Sequence, residues 1–199
     1  MLVTWEGVRN LSSRSYVCGY CDNPLASEKG FTATCTFSTL RGDSVQNYGV
    51  IYICHHCNNP TFFDTDSNQF PGTSFGKSVD YIPSKEVTLL YNEARDCMKV
   101  NAYTASVMCC RKLLMNIAVD RGANLGLKYV QYVDYLADKG FVPPNGKGWV
   151  EHIKNKGNEA NHEIVTMTRD DAEELNSFVE MLLKFIYEFP GKMNAKTKK

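Results

Sequence analysis

The sequence predicts an α+β protein, with a small β module ahead of an all-helical bundle. Three observations carry that reading. Residues 31–38, FTATCTFS, alternate strictly between the two faces of a strand. From residue 84 onward, apolar residues recur at spacings of three and four, the period of a helix. Between these two regimes, residues 66–83 (DSNQFPGTSFGKSVDYIP) hold two prolines and two glycines and read as a linker. The domains expected are therefore 1–80 for the β module, with its linker at 66–83, then 84–190 for the bundle and 191–199 for a basic, disordered tail.

In the β module, Phe31, Ala33, Cys35 and Phe37 face one way and Thr32, Thr34, Thr36 and Ser38 the other. YGVIYI at 48–53 is a second β-rich run, and Thr61–Phe63 begins a third. Turn residues separate them in DNP, RGD and CNNP. In the bundle, Ser84 caps a first helix with the stripe Val87, Leu90, Tyr91, Ala94, Cys97 and Met98. A second helix runs through Tyr103, Val107, Cys110, Leu114 and Ile117 to Gly122. A third spans Leu127–Lys139 and stops at Gly140. Trp149, Val150 and Ile153 start a short fourth. Thr168 and Asp171 form a capping box with Asp in place of Glu, opening a fifth helix expected to end near Pro190. Helices joined by short loops pack as antiparallel neighbours. The acids between Arg169 and Glu174 suit a solvated helix start.

The bulk numbers exclude several function classes. The 199 residues carry 22 basic and 22 acidic side chains, a formal net charge of zero. Residues 1–80 hold 5 basic and 7 acidic residues, and the remainder 17 and 15. Neither half is the basic body of a protein that grips nucleic acid by charge alone. No basic n-region with an apolar run opens the chain, and no stretch is long enough to span a membrane. The expectation is a cytoplasmic protein without a membrane partner, in which the eight cysteines stay reduced.

Four of those cysteines form two CxxC pairs, Cys18-Gly-Tyr-Cys21 and Cys54-His-His-Cys57, each at a turn beside a strand. Zinc takes four ligands in a tetrahedron, and two such turns brought together by a small antiparallel sheet close the shell. This is the layout of a zinc ribbon holding one structural Zn²⁺ per chain. The 32 residues between the pairs contain the alternating strand, so the insert is structured. A redox CxxC belongs at a helix start and needs only one pair. Substitution of His55 or His56 for one thiolate is the alternative ligand set. Cys35, Cys97, Cys109 and Cys110 suit core positions. Phosphate-loop, HExxH and GxSxG motifs are absent.

The chain resembles the zinc-ribbon form of domain-of-unknown-function family 4145. The matching features run in order: CGYC, CHHCNNPTF, a Pro-Ser helix start with YNEARDC, NAYTASVMCCRKLLMNIA, KGNEANH, and a closing helix ending FIYEFP. That family resembles the HEPN superfamily of compact helical bundles, which implies an HEPN-like bundle and a homodimer. Many members of that superfamily are metal-independent endoribonucleases with an Arg separated from a His by four to six residues. The resemblance also implies a place in restriction, antiviral defence or counter-defence, with a protein partner there and RNA or nucleotide as ligands.

His162 matches the family's histidine, but no arginine lies between Arg121 and Arg169. Lys156 sits at the right spacing, Lys154 slightly further, and Arg111 on the second helix is another source of a cation. Lysine supplies charge without the two-pronged fork. Gly157, Asn158 and His162 also suit a structural corner, with Gly157 ending one helix and Asn158 capping the next turn. His152 reads as a surface or boundary residue. The first reading is a binding or regulatory module. The second is a ribonuclease using His162 with Lys156, Asn158 and Arg111. The third is a nucleic-acid-binding ribbon using Arg14, Tyr20 and Arg41.

Overall fold

The computed structural model describes residues 3–39, 42–142, 150–153 and 166–197. The chain is mixed α+β and divides into two units, Met1–Ser74 and Phe75–Lys199. The first is an antiparallel five-stranded meander in the order β1 (Arg9–Val17), β2 (Pro24–Thr39), β3 (Gly42–Ile53), β4 (Pro60–Asp64) and β5 (Gln69–Phe70). FTATCTFS lies in β2, and its alternation holds: Phe31, Ala33 and Cys35 are half-buried, while Thr32, Thr34 and Thr36 are exposed. Phe37 departs from the pattern at 50% exposed, because β2 and β3 run on together past the packed part of the sheet.

The strand β1, RNLSSRSYV, has no apolar alternation and is the one that period-two reasoning misses. Its inward positions include Arg14 and Tyr16. The Arg14 guanidinium lies 3.9 Å from the centre of the Phe63 ring, so a charged side chain does the covering that an apolar one would do. Tyr16, Tyr52 and Phe63 meet edge to face at 5.2 and 5.9 Å, and the Tyr52 hydroxyl donates to Ser12 O at 2.8 Å. A Cβ on Gly30 would come within 1.8 Å of the Ile51 carbonyl oxygen, so β2 and β3 approach there only because residue 30 has no side chain.

The second unit holds α1 (Lys85–Lys99), α2 (Tyr103–Asp120), α3 (Tyr129–Asp138), α4 (Arg169–Leu183), a π turn (Lys184–Glu188) and α5 (Phe189–Thr197). Residues 150–153 are helical, the described part of the expected fourth helix. Helix α2 packs against α1, α3 and α4. The predicted stripes are the buried faces, with Tyr91, Val107, Leu114, Ile117, Leu136, Leu175, Phe178 and Leu182 all under 2% exposed. Ser84 Oγ accepts the Val87 N–H at 3.2 Å, and Thr168 and Asp171 exchange both capping-box bonds, at 3.2 and 2.9 Å. Gly140, at φ 78°, ends the segment after α3 in the left-handed region that favours glycine.

Two boundaries differ from expectation. The helix does not end at Pro190 and the tail is not disordered as far as Thr197: α5 continues to that residue, with no buried side chain. The Phe189 N–H reaches back five residues to Lys184 O, and this wider turn absorbs the bond that Pro190 cannot donate. Nor is 66–83 one free linker. Its first part adds β5 to the sheet, and its second is tied to the helices. Arg95 donates to Phe75 O and Gly76 O, Tyr91 to Lys77 O, and the Lys77 and Asp80 N–H groups to Glu180 and Glu188. The units therefore divide between Ser74 and Phe75 rather than at 80. Among the described residues, no helix is long and apolar enough to cross a membrane.

Candidate metal centre

The two CxxC turns are built alike, atom for atom along the backbone. After β1, the Cys18 N–H donates to Asn23 O at 3.0 Å and the Asp22 N–H to Cys18 O at 2.9 Å. After β3, the Cys54 N–H donates to Asn59 O at 3.0 Å and the Asn58 N–H to Cys54 O at 2.8 Å. Asp22 and Asn58, each directly after the second cysteine of its pair, take φ of 54° and 59°. Asp and Asn tolerate this left-handed conformation better than other side chains, which is the reason a CxxC-[Asp/Asn]-Asn hexapeptide closes such a turn. Gly19 is required by its neighbours: a Cβ there would lie 2.4 Å from Pro71 O and 2.3 Å from Gly72 O. The second turn is braced by Trp5 Nε1, which donates to Asn58 O at 3.0 Å.

Because β1–β2 and β3–β4 are alternate hairpins of one meander, with β2–β3 turning at the opposite end, both turns fall at the same end of the sheet. They bring the Sγ atoms of Cys18, Cys21, Cys54 and Cys57 within 4.8 Å of one another. Cys18 to Cys57 is 3.6 Å, and Cys21 to Cys54 is 3.8 Å. Sulfurs about 2.3 Å from a central ion stand about 3.8 Å apart on the edge of a tetrahedron. The observed spacings fit that edge and are far from the ~2.05 Å of a disulfide. The donor set is chemically coherent as well. Burial pushes the Cys18 thiol up to about 12 and the Cys54 thiol up too, whereas on Cys21 the upward push of burial is outweighed by hydrogen bonds from Asn23, which bring it to about 7. Shielded thiols of this kind become thiolates when a divalent cation supplies the counter-charge. The Tyr20 N–H, 3.4 Å from Cys18 Sγ, points at the sulfur that would carry that charge. All four corners are protein sulfur, so no corner is left for substrate or water. His55 and His56 are exposed, lie with their ring centres 4.3 Å apart at a tilt of 46°, and stand outside the cluster.

Of the remaining cysteines only Cys110 takes a fully buried core position; Cys109 is half-buried against that core, and Cys35 and Cys97 are half-buried outside it. Burial pushes Cys109 up to about 11 and Cys97 upward, which favours the protonated thiol.

The other candidate residues are not brought together. Lys154, Lys156, Asn158 and His162 lie outside the described residues. Arg111 is described and is buried on α2, with its guanidinium 4.1 Å from the centre of the Tyr129 ring. His152 pairs with Glu174 at 2.6 Å, and Arg169 with Glu173 at 2.6 Å, at a half-exposed helix start. Of the three residues in the nucleic-acid reading, Arg14 is occupied in packing on Phe63, Tyr20 is exposed and Arg41 lies outside the described residues. Sequence reasoning missed the buried polar contacts of the helical unit. Ser106 Oγ donates to Ala94 O at 2.7 Å and accepts from Asn176 Nδ2 at 2.7 Å, with no signal in either residue type beyond its place on an apolar stripe.

The chain belongs to the family described as Domain of unknown function (DUF4145), which matches residues 92–199, more than half of its length and all of it within the helical unit. The four clustered cysteines lie outside the matched span. No curated protein and no solved structure matches the chain.

Proposed function

We propose that this chain is a zinc-ribbon binding module: a sheet unit held by one structural Zn²⁺ on Cys18, Cys21, Cys54 and Cys57, followed by an HEPN-like helical unit that engages a ligand or partner. The observation that supports this reading is the cluster of four cysteine sulfurs within 4.8 Å of one another, enough to supply every corner of a tetrahedral site. A metal held in that way braces the fold and takes no part in a reaction. The HEPN-like character, assembly as a homodimer and a role in restriction, antiviral defence or counter-defence belong to the same proposal. They are supported by the ordered motifs YNEARDC, CCRKLL and KGNEANH.

Purified protein incubated with labelled tRNA and single-stranded RNA in EDTA, beside His162→Ala, separates module from nuclease. Intact RNA in both lanes is the expected result. Cleavage by the wild type that His162→Ala abolishes would overturn the binding reading in favour of a metal-independent endoribonuclease. Metal analysis of fresh protein is expected to return one zinc per chain, and light scattering a dimer.

A further inference from the structure

Two arginines are buried in the helical unit, Arg95 at 8% exposed and Arg111 at 6%. Their surroundings differ completely. Arg95 donates to Phe75 O at 2.8 Å, Gly76 O at 3.1 Å and Asn92 Oδ1 at 3.2 Å, so its fork is satisfied by fixed oxygens. Arg111 makes no hydrogen bond and no ion pair to any described residue, and its Nη1 is wholly shielded and orphaned. Its one described contact of note is the face of the Tyr129 ring, whose own hydroxyl donates to Ile153 O at 3.4 Å. Burial weakens the hold of Arg111 on its proton. A guanidinium nevertheless does not titrate in a protein, so the charge stays. An unpaired buried charge is among the most costly features a fold can keep.

The same side chain lines a groove of about 670 Å³ between α2 and the segment that leads into α3. That volume is in the range of small-molecule sites. Lys112 and Asn116 share the α2 face with Arg111, and Met115, Leu127 and Tyr129 supply apolar wall. No carboxylate is among the described lining residues. The groove thus offers one deep cation, a second at the rim, and an apolar bed.

We propose that this groove binds a small amphipathic oxyanion, its carboxylate or phosphate-monoester head paired to Arg111 and its aliphatic or aromatic body laid on Met115 and Leu127. A nucleic-acid backbone is the poorer fit, because phosphate chains are gripped by exposed cations and Arg111 is recessed. The assignment depends neither on the metal centre nor on His162, so it stands or falls separately from the function proposed above.

Isothermal titration of the full chain with octanoate, phenyl phosphate and inorganic phosphate tests it. At least one amphiphile is expected to bind with a Kd below about 1 mM, and inorganic phosphate about tenfold more weakly, because it lacks the apolar body. Octanoate alone binding identifies a carboxylate head, and phenyl phosphate alone a phosphate head. Arg111→Met is expected to abolish binding while raising the Tm of the ligand-free protein, since it removes a charge with no partner among the described residues. Arg111→Lys keeps the charge without the fork and is expected to weaken binding about tenfold; it serves as the test if the Met variant does not fold. The proposal fails if neither amphiphile binds at about 10 mM, if binding survives Arg111→Met or is untouched by Arg111→Lys, or if inorganic phosphate binds as tightly as both amphiphiles. A folded Arg111→Met protein with a lowered Tm would also refute it, by assigning Arg111 a structural role against Tyr129.

Discussion

Removing one metal ligand, by Cys54→Ser, is expected to unfold the sheet unit and leave the helical unit standing. Besides its thiols, the described part of the sheet unit buries only four large apolar side chains: Leu25, Tyr52, Ile53 and Phe63. At about 1.5–3 kcal/mol each, these contribute about 6–12 kcal/mol. A closed thiolate site supplies an apparent ~10–16 kcal/mol at neutral pH. A zinc held there would therefore stabilise the unit by an amount comparable to its buried apolar side chains. Cys54 has 0% exposure, so a serine hydroxyl there is a poor ligand and a poor packing substitute at once. The assay is metal content together with limited proteolysis and mass mapping. Zinc is expected to fall from one per chain to near none, with new cleavage sites confined to residues 1–74 and the helical signal at 222 nm retained. A metal-free Cys54→Ser protein whose sheet unit resists protease as well as the wild type would refute the reasoning, because its core would then suffice alone.

Three further outcomes follow from the helical unit. Thr168→Ala removes a cap whose two bonds are both made and is expected to cost about 1 kcal/mol in urea unfolding. Ser106→Ala strands a donor of Asn176, which is 1% exposed, and should cost about 1–3 kcal/mol; adding Asn176→Leu should cost less than the two single changes summed, by about 1 kcal/mol or more. Asp120 is held below the usual carboxylate range, first by the Tyr187 hydroxyl at 2.6 Å and then by Arg121. A lowered folded pKa means that the stabilisation is present above the unfolded value and lost as pH falls through the folded one. Asp120→Asn should therefore cost under about 1 kcal/mol at pH 7, since the carboxylate is 43% exposed, and almost nothing at an acid pH below the lowered folded pKa, where the wild type has lost the charge as well. Urea midpoints for both proteins at the two pH values check this, and an undiminished gap in acid would contradict it.

What could be read from the sequence was what repeats with a period or a fixed spacing. The stripe from Val87 to Met98, the capping box at Thr168 and the four converging cysteines all rest on local rules that tertiary structure does not override. The strand β1 escaped because Arg14 and Tyr16 stand where alternation looks for aliphatic residues, and only their partner Phe63, far along the chain, makes that sensible. The likeness of the two CxxC turns was visible in CGYCDN and CHHCNN, but its cause is the left-handed backbone at Asp22 and Asn58. The continuation through Pro190 needed the π turn, whose register depends on how α4 is packed. Arg95 and Ser106 each interrupt an apolar face, and nothing local distinguishes a satisfied polar residue from a misplaced one.

That last ambiguity is where the two units part company physically. The sheet unit has few buried side chains with which to tolerate an uncompensated charge, and it places its own potential charges, the four sulfurs, around a point where one cation would answer them all. The helical unit buries Tyr91, Phe178 and a long run of leucines, isoleucines and valines. Arg95 shows that the same bundle can satisfy a buried guanidinium from its own backbone when the geometry calls for it. The absence of any such oxygen at Arg111 among the described residues, beside an apolar groove open to a ligand, is therefore a property of that site rather than of the fold. If a ligand completes the Arg111 fork as proposed, Arg95 is the structural arginine of the bundle and Arg111 the binding one.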